Sequence, residues 1–365
     1  MTQSCLTDAL SFPFPRLTHA QAPLTQSVDV VNEHGQYEQV QIPAERPLTV
    51  YVDKRELVTL MTLGAHPELL VLGYLRNQRL VDSVFDIESI TVDWEVHAAA
   101  VRTRHGIARI EERTATKVVT TGCGQGSVFG GLMDAVDRLV LPEASLTQAQ
   151  LYGIVNAIRL KETTYKSAGS VHGCALFRGE DLLTFVEDVG RHNAIDTIAG
   201  WMWMNPEPPP QNPESGGARA PFYTPHDAAI GDASAASACA QPGVMSGSDK
   251  VFYTTGRLTS EMVIKSAQMG VPIVVSRSGM TQMGHSVAQQ LGLCAIGRAT
   301  NRRFICYTGA HRLLLQPGLA QAPVVGGAEA LQRVAQCMGA AGAQAAMGGA
   351  LHQGVQVVQV GLIER

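Results

Sequence analysis

VFYTTGRLTSEMVIKSAQMGVPIVVSRSGMTQMGHSVAQQLGLCAIG, residues 251–297, is the stretch that decides the fold. Val251–Thr254 reads as a strand, Thr259–Met269 as a helix stopped by Gly270, and Val271–Ser276 as a second strand. Thr281–Leu291 then reads as a helix stopped by Gly292, Leu293–Gly297 as a strand, and Phe304–Tyr307 as a last one. Strands alternating with helices of this length imply crossover units on a mostly parallel sheet, so the class is α/β.

Upstream, Ser145 followed by Gln148 reads as a capping box, and Leu151, Ile154, Val155 and Ile158 recur at helical spacing. Val171–Phe177 and Leu182–Val189 form a predicted hairpin turning through Arg178-Gly179-Glu180-Asp181, with a helix starting near Arg191. These elements group into a larger α/β domain over 116–315. Residues 26–115 read as a small α+β domain: a strand at Pro47–Val52, a turn at Asp53–Arg55, another strand, a helix near Glu68–Arg76, then strands at Ile90–Trp94 and Ala98–Thr103. Residues 1–25 suggest a loose leader. Residues 205–248, which open with five prolines between 206 and 213, then Gly216-Gly217 and an Ala/Ser-rich run, read as a disordered insertion, and 316–365 as an Ala/Gly-rich tail.

Of 365 residues, 45% are hydrophobic and 16% charged, the balance of a globular protein with a sizeable core. No apolar run approaches a membrane span, and the opening residues lack the basic start and apolar stretch of an export signal, so the protein is expected in the cytoplasm. The net charge of −4 predicts no general attraction to nucleic acid. Residues 251–315 nevertheless hold seven basic residues against one acid, Glu261, which suits an anionic ligand. Seven cysteines are scattered without a Cys-x-x-Cys pair, which leaves a disulfide framework or structural metal site without support.

Ligands of open α/β sheets collect at the carboxyl ends of strands, beside helix N-termini. Three such corners carry arginine: Thr255-Gly256-Arg257, Ser276-Arg277-Ser278, and Arg298 through Arg303. Glycine and small hydroxyl residues there leave backbone N–H groups to face an anion, and guanidinium groups give bidentate contacts to phosphate. A phosphate-bearing ligand is the preferred reading over solvated loop arginines. In Thr121-Gly122-Cys123-Gly124-Gln125-Gly126-Ser127, a strand at Val118–Thr120 runs into a loop whose glycines leave the Cys123 sulfur unshielded, the setting of a nucleophile. Cys174, Cys294 and Cys306 lie inside apolar runs and read as buried. The run Glu187-Asp188-Val189-Gly190-Arg191-His192-Asn193 offers a base, a metal ligand or an anion contact, or equally a capping and ion-pair network that braces its loop. His172 reads as a satisfied core histidine.

Together these segments resemble the FdhD family of formate dehydrogenase accessory proteins. The run from Glu187 to Asp196 is similar to the family's most recognisable motif; Thr255–Met262, Ile273–Ser278, Val171–Leu176 and the cysteine loop match in the same order, over roughly 45–312. The resemblance implies a persulfide carrier. A cysteine desulfurase loads sulfur on Cys123, and the carrier passes it to the bis-guanine-dinucleotide molybdenum cofactor of formate dehydrogenase. It implies a cofactor-binding stretch at Arg298, Ala299, Thr300, Asn301, Arg302 and Arg303, a cytidine deaminase-like fold for the second domain, and a homodimer. Where many members carry Cys-x-x-Cys in the loop, this chain has Gly126 at the second position. Where members begin the cofactor stretch with an aromatic residue, it has Arg298. A zinc deaminase is excluded, because no Pro-Cys-x-x-Cys occurs and His172-Gly173-Cys174 lacks the glutamate of the His-x-Glu pattern. The competing function is a non-catalytic cofactor chaperone that uses the same arginines and leaves Cys123 passive.

Overall fold

The structure, a computed structural model, describes residues 14–107, 118–119, 126–127, 136–137, 139–161, 164–205 and 245–321. In chain order its elements are β1 (Arg16–Leu17), β2 (Thr25–Val31), β3 (Tyr37–Pro43), β4 (Arg46–Val52), β5 (Arg55–Thr62), α1 (Pro67–Asn77), β6 (Ile87–Asp93), β7 (Ala98–Thr103), β8 (Val118–Val119) and β9 (Gly126–Ser127). There follow β10 (Leu146–Thr147), α2 (Gln148–Lys161), α3 (Thr164–Ala168), β11 (His172–Arg178), β12 (Asp181–Asp188) and α4 (Arg191–Met204). The last are β13 (Lys250–Thr254), α5 (Ser260–Gln268), β14 (Ile273–Ser276), α6 (Gln282–Gln290), β15 (Cys294–Thr300), β16 (Arg303–Thr308) and β17 (Leu313–Leu314). All of them belong to the compact unit that ends at Gln316.

The α/β class holds, with one change of topology. The large sheet has the order β12-β11-β13-β14-β15-β16, and only β13, β14 and β15 run parallel. Antiparallel hairpins flank them on both sides. The sheet is therefore mixed rather than mostly parallel, because the links at each edge are too short for a crossover. One edge turns through Gly179 at φ +57°, the other through Asn301 at φ +51°.

Period-two alternation sends side chains to both faces. Leu176, Phe252, Val274 and Ala295 pack with α4, α5 and α6; Phe177, Tyr253, Val275 and Ile296 pack with Leu151, Ile154 and Ile158 of α2. Helix α2 starts later than the sequence suggested. Leu146–Thr147 pairs in parallel with Leu313–Leu314, so the capping box is Thr147 with Gln150, not Ser145 with Gln148. Gln150 N donates to Thr147 Oγ1 at 3.2 Å and Thr147 N to Gln150 Oε1 at 2.9 Å.

The smaller sheet has the order β1-β6-β7-β4-β5. Within the stretch read as a loose leader, Arg16–Leu17 pairs in parallel with β6, and the β2–β3 hairpin that follows has no counterpart in the sequence reading. Helix α1 covers this sheet and packs against α4, which joins the two layers. A Cβ on Gly73 would lie 1.6 Å from Asp196 O, and one on Gly200 would lie 2.0 Å from Leu69 O, so only glycine permits this backbone approach. At the crossing Asn77 Nδ2 donates to Asp196 Oδ1 at 2.7 Å, and Lys265 Nζ bonds Asp196 Oδ2 at 2.8 Å. Most of the expected 205–248 insertion, and the tail from 322, lie outside the described residues.

Candidate functional site

The carboxyl ends of β13, β14 and β15 lie side by side, which brings the three arginine segments to one edge of the large sheet. Hydrogen bonds lock them together. Ser276 Oγ donates to Gly256 O at 2.7 Å, Ser278 Oγ to Thr255 O at 2.9 Å, and Arg298 N to Ser278 O at 2.8 Å. The expectation that these corners leave their backbone N–H groups to face an anion is not met. Gly256 N–H donates to Thr254 Oγ1 and Ser278 N–H to Ser276 Oγ, so the small hydroxyls consume them. What the edge presents is guanidinium. Arg257 and Arg298 are exposed; Arg277 is half-buried with its guanidinium carbon 5.4 Å from the centre of the Tyr165 ring.

Arg298 to Arg303 is not a strand-to-helix corner but the bulge and tip of the β15–β16 hairpin. Arg298 and Asn301 take left-handed backbone there, at φ +50° and +51°. Arg298, Thr300, Asn301 and Arg303 are exposed. Arg302 is half-buried and its carbonyl accepts from Tyr152 Oη at 3.0 Å. Ala299 is a correction: its side chain is packed in the core shared with α2, beyond reach of any ligand.

Beside the arginines, β11 begins. Gly173 N donates to Thr255 Oγ1 and Thr255 N to Gly173 O, which sets His172 at the same edge. His172 is no satisfied core histidine. It is half-buried, its imidazole makes no hydrogen bond among the described residues, and burial together with the Arg191 and Arg257 guanidiniums lowers its pKa.

The Glu187–Asn193 run divides. Glu187 caps α3, accepting from Thr164 N at 2.8 Å and Tyr165 N at 3.0 Å. Asp188 binds the small sheet to α4: it accepts from Thr62 Oγ1, Leu63 N, Gly190 N and Asn193 Nδ2. Burial raises its pKa, and those four donors hold it down. His192 lies behind the edge with Nε2 3.2 Å from Glu261 Oε2, out of line for a hydrogen bond. Burial outweighs Glu261 and pulls the His192 pKa down to about 3, which makes it neutral. The bracing reading thus holds for the two carboxylates. Arg191 is different: it opens α4 beside Gly256, and no carboxylate among the described residues meets it. Its role was hidden because the motif supplies two acids within four residues, and both bond elsewhere.

Cys123 lies outside the described residues; the short strands β8 and β9, which flank it in sequence, pair antiparallel. Cys174 and Cys294 are buried as expected, and burial pushes the Cys174 thiol up to about 12. Cys306 is only half-buried, and its contact with the Cys294 thiol holds its pKa below the ordinary value. Two cavities lined wholly by described residues, of about 370 and 590 Å³, lie away from the arginine edge. Among the described residues no helix is long and apolar enough to cross a membrane.

A layered α/β protein with arginines gathered at the carboxyl edge of its large sheet carries them where folds of this class bind their ligands. The sequence profile of the FdhD/NarQ family matches residues 43–212 and 227–314, and the chain belongs to that family. It is 26% identical over 298 residues to the sulfur carrier protein FdhD of Bacillus subtilis, covering 80% of this chain and 99% of that one. With the sulfur carrier protein FdhD of Geobacillus kaustophilus it shares 24% over 279 residues, covering 76% and 92%. In fold it is similar to a crystal structure described as a formate dehydrogenase accessory protein from Desulfotalea psychrophila, with a TM-score of 0.57, 21% identity, and coverage of 80% of this chain and all of that one.

Proposed function

We propose that this protein is a sulfurtransferase of the persulfide-carrier kind that serves formate dehydrogenase. Cys123, as thiolate, attacks the terminal sulfur of a persulfide on a cysteine desulfurase. The donor's S–S bond breaks, the donor leaves as thiolate, and Cys123 holds the sulfur as its own persulfide. The acceptor is the bis-guanine-dinucleotide molybdenum cofactor, bound as substrate. Arg257, Arg277, Arg298, Arg302 and Arg303 would meet its phosphates, with Thr300 and Asn301 at the hairpin tip and Ala299 contributing only backbone. The observation that carries this reading is the gathering of those arginines at one sheet edge, in a family whose relatives are named sulfur carriers. Family resemblance adds a cytidine deaminase-like α/β layer and a homodimer.

Mass spectrometry after incubation with a desulfurase and cysteine tests the loading step. One added sulfur is expected on the peptide holding Cys123. Cys123→Ala is expected to abolish nearly all formate dehydrogenase activation; a variant that keeps most of it would identify a chaperone instead.

A further inference from the structure

The first turn of α4 carries an incomplete set of bonds. Gly190, its N-cap, has no side chain to offer, and the Arg191 and His192 amides find no acceptor among the described residues. Uncapped N–H groups at the start of a 14-residue helix present partial positive charge. A buried cation stands at the same point. Arg191 is 5% exposed, and its Nε has no hydrogen-bond partner. The carboxylates around it are engaged elsewhere: Glu187 on α3, Asp188 on Gly190 and Asn193, Asp196 and Glu261 on Lys265. The Arg191 stem lies across Gly256, where a Cβ would come within 2.9 Å of its Cδ. Leaving the buried Nε–H of Arg191 without an acceptor is costly, so a group from outside the chain that accepts from it would be favoured.

We propose that Arg191 and the amino-terminal amides of α4 form a phosphoryl-binding site, at the floor of the arginine edge and separate from the hairpin arginines. A tetrahedral oxyanion fits this donor set: the planar guanidinium gives paired N–H bonds and the helix start gives convergent amides. The phosphoryl group could be that of a nucleoside diphosphate or of inorganic phosphate. Assigning it to a guanine dinucleotide rests on the function proposed above; the site itself does not.

Calorimetric titration of the full chain in phosphate-free buffer, with inorganic phosphate, pyrophosphate and guanosine diphosphate, tests this. Wild type is expected to bind pyrophosphate and guanosine diphosphate, and Arg191→Gln to lose at least about tenfold in affinity for both. Gly256→Ala, which displaces the Arg191 stem without removing its charge, is expected to weaken binding in the same direction, and it serves alone should Arg191→Gln not fold. Unchanged affinity in a folded Arg191→Gln, or no binding of any of the three to wild type, overturns the site. Pyrophosphate binding that depends on Arg191, with no gain for guanosine diphosphate over pyrophosphate, supports the site while removing support for the dinucleotide reading.

Discussion

Helix α4 carries two groups of buried charge little more than one turn apart, and they are finished differently. At Asp196 every partner is present: Lys265 at 2.8 Å and Asn77 at 2.7 Å, with Glu261 3.6 Å from the same ammonium. At Arg191 no side-chain partner is found among the described residues, although the residue is almost as deeply buried. A satisfied buried pair ties elements together, here α1, α4 and α5. An unsatisfied buried cation is tolerated where something outside the chain completes it. The difference separates the part of the motif that builds the fold from the part proposed above to meet a ligand.

The largest effect should appear on breaking that contrast directly. Asp196→Ala leaves Lys265 buried without its main partner and should cost about 3–5 kcal/mol in denaturant unfolding. In phosphate-free buffer Arg191→Gln should cost less than about 1 kcal/mol or stabilise, since it removes an uncompensated charge. Similar losses in both variants would erase the distinction.

A smaller effect concerns His192, which Glu261, Lys265, Arg191 and His172 face. Its folded pKa of about 3 lies below the ordinary 6.5, so the unfolded chain takes up the proton first. The stability tied to its neutral form is present above pH 6.5 and is lost as pH falls toward 3. His192→Gln should flatten the acid limb of the stability curve by up to about 1.4 kcal/mol per pH unit. An identical limb in wild type and variant would show that folding does not lower the His192 pKa.

The least effect is on thiol labelling. Cys306 should alkylate well before Cys174 at mildly alkaline pH, and Cys294→Ala should shift that reaction to higher pH by removing the thiol contact. Peptide mapping that finds Cys174 modified first would contradict the described packing.

Much of this was legible in the sequence where a rule acts locally. The alternation over 251–297 placed β13, α5, β14, α6 and β15 close to their observed bounds, because apolar runs and stopping glycines are local signals. The arginine segments were legible as a group for the same reason. What escaped depended on distant partners. The start of α2 moved because Leu146–Thr147 pairs with a strand more than 160 residues away. Helix α3 went unseen because Glu187, which caps it, lies 22 and 23 residues beyond the amides it receives. The β2–β3 ribbon buries little, and its apolar alternation is only three residues long in each strand, Val28-Asp29-Val30 and Val40-Gln41-Ile42, too short to announce it. Nothing local marks Arg191 as unpaired beside Glu187 and Asp188; only their bonds in the fold do.

The close crossing of α1 and α4 bears on how the molecule comes apart. Helix α4 gives Ile195, Ile198 and Met202 to one core and Trp203 to the other, so neither sheet keeps a finished interior once that helix leaves. The two sheets should therefore melt together in one calorimetric step, and a lesion at Gly73 or Gly200 should lower the midpoint of the whole transition rather than split it.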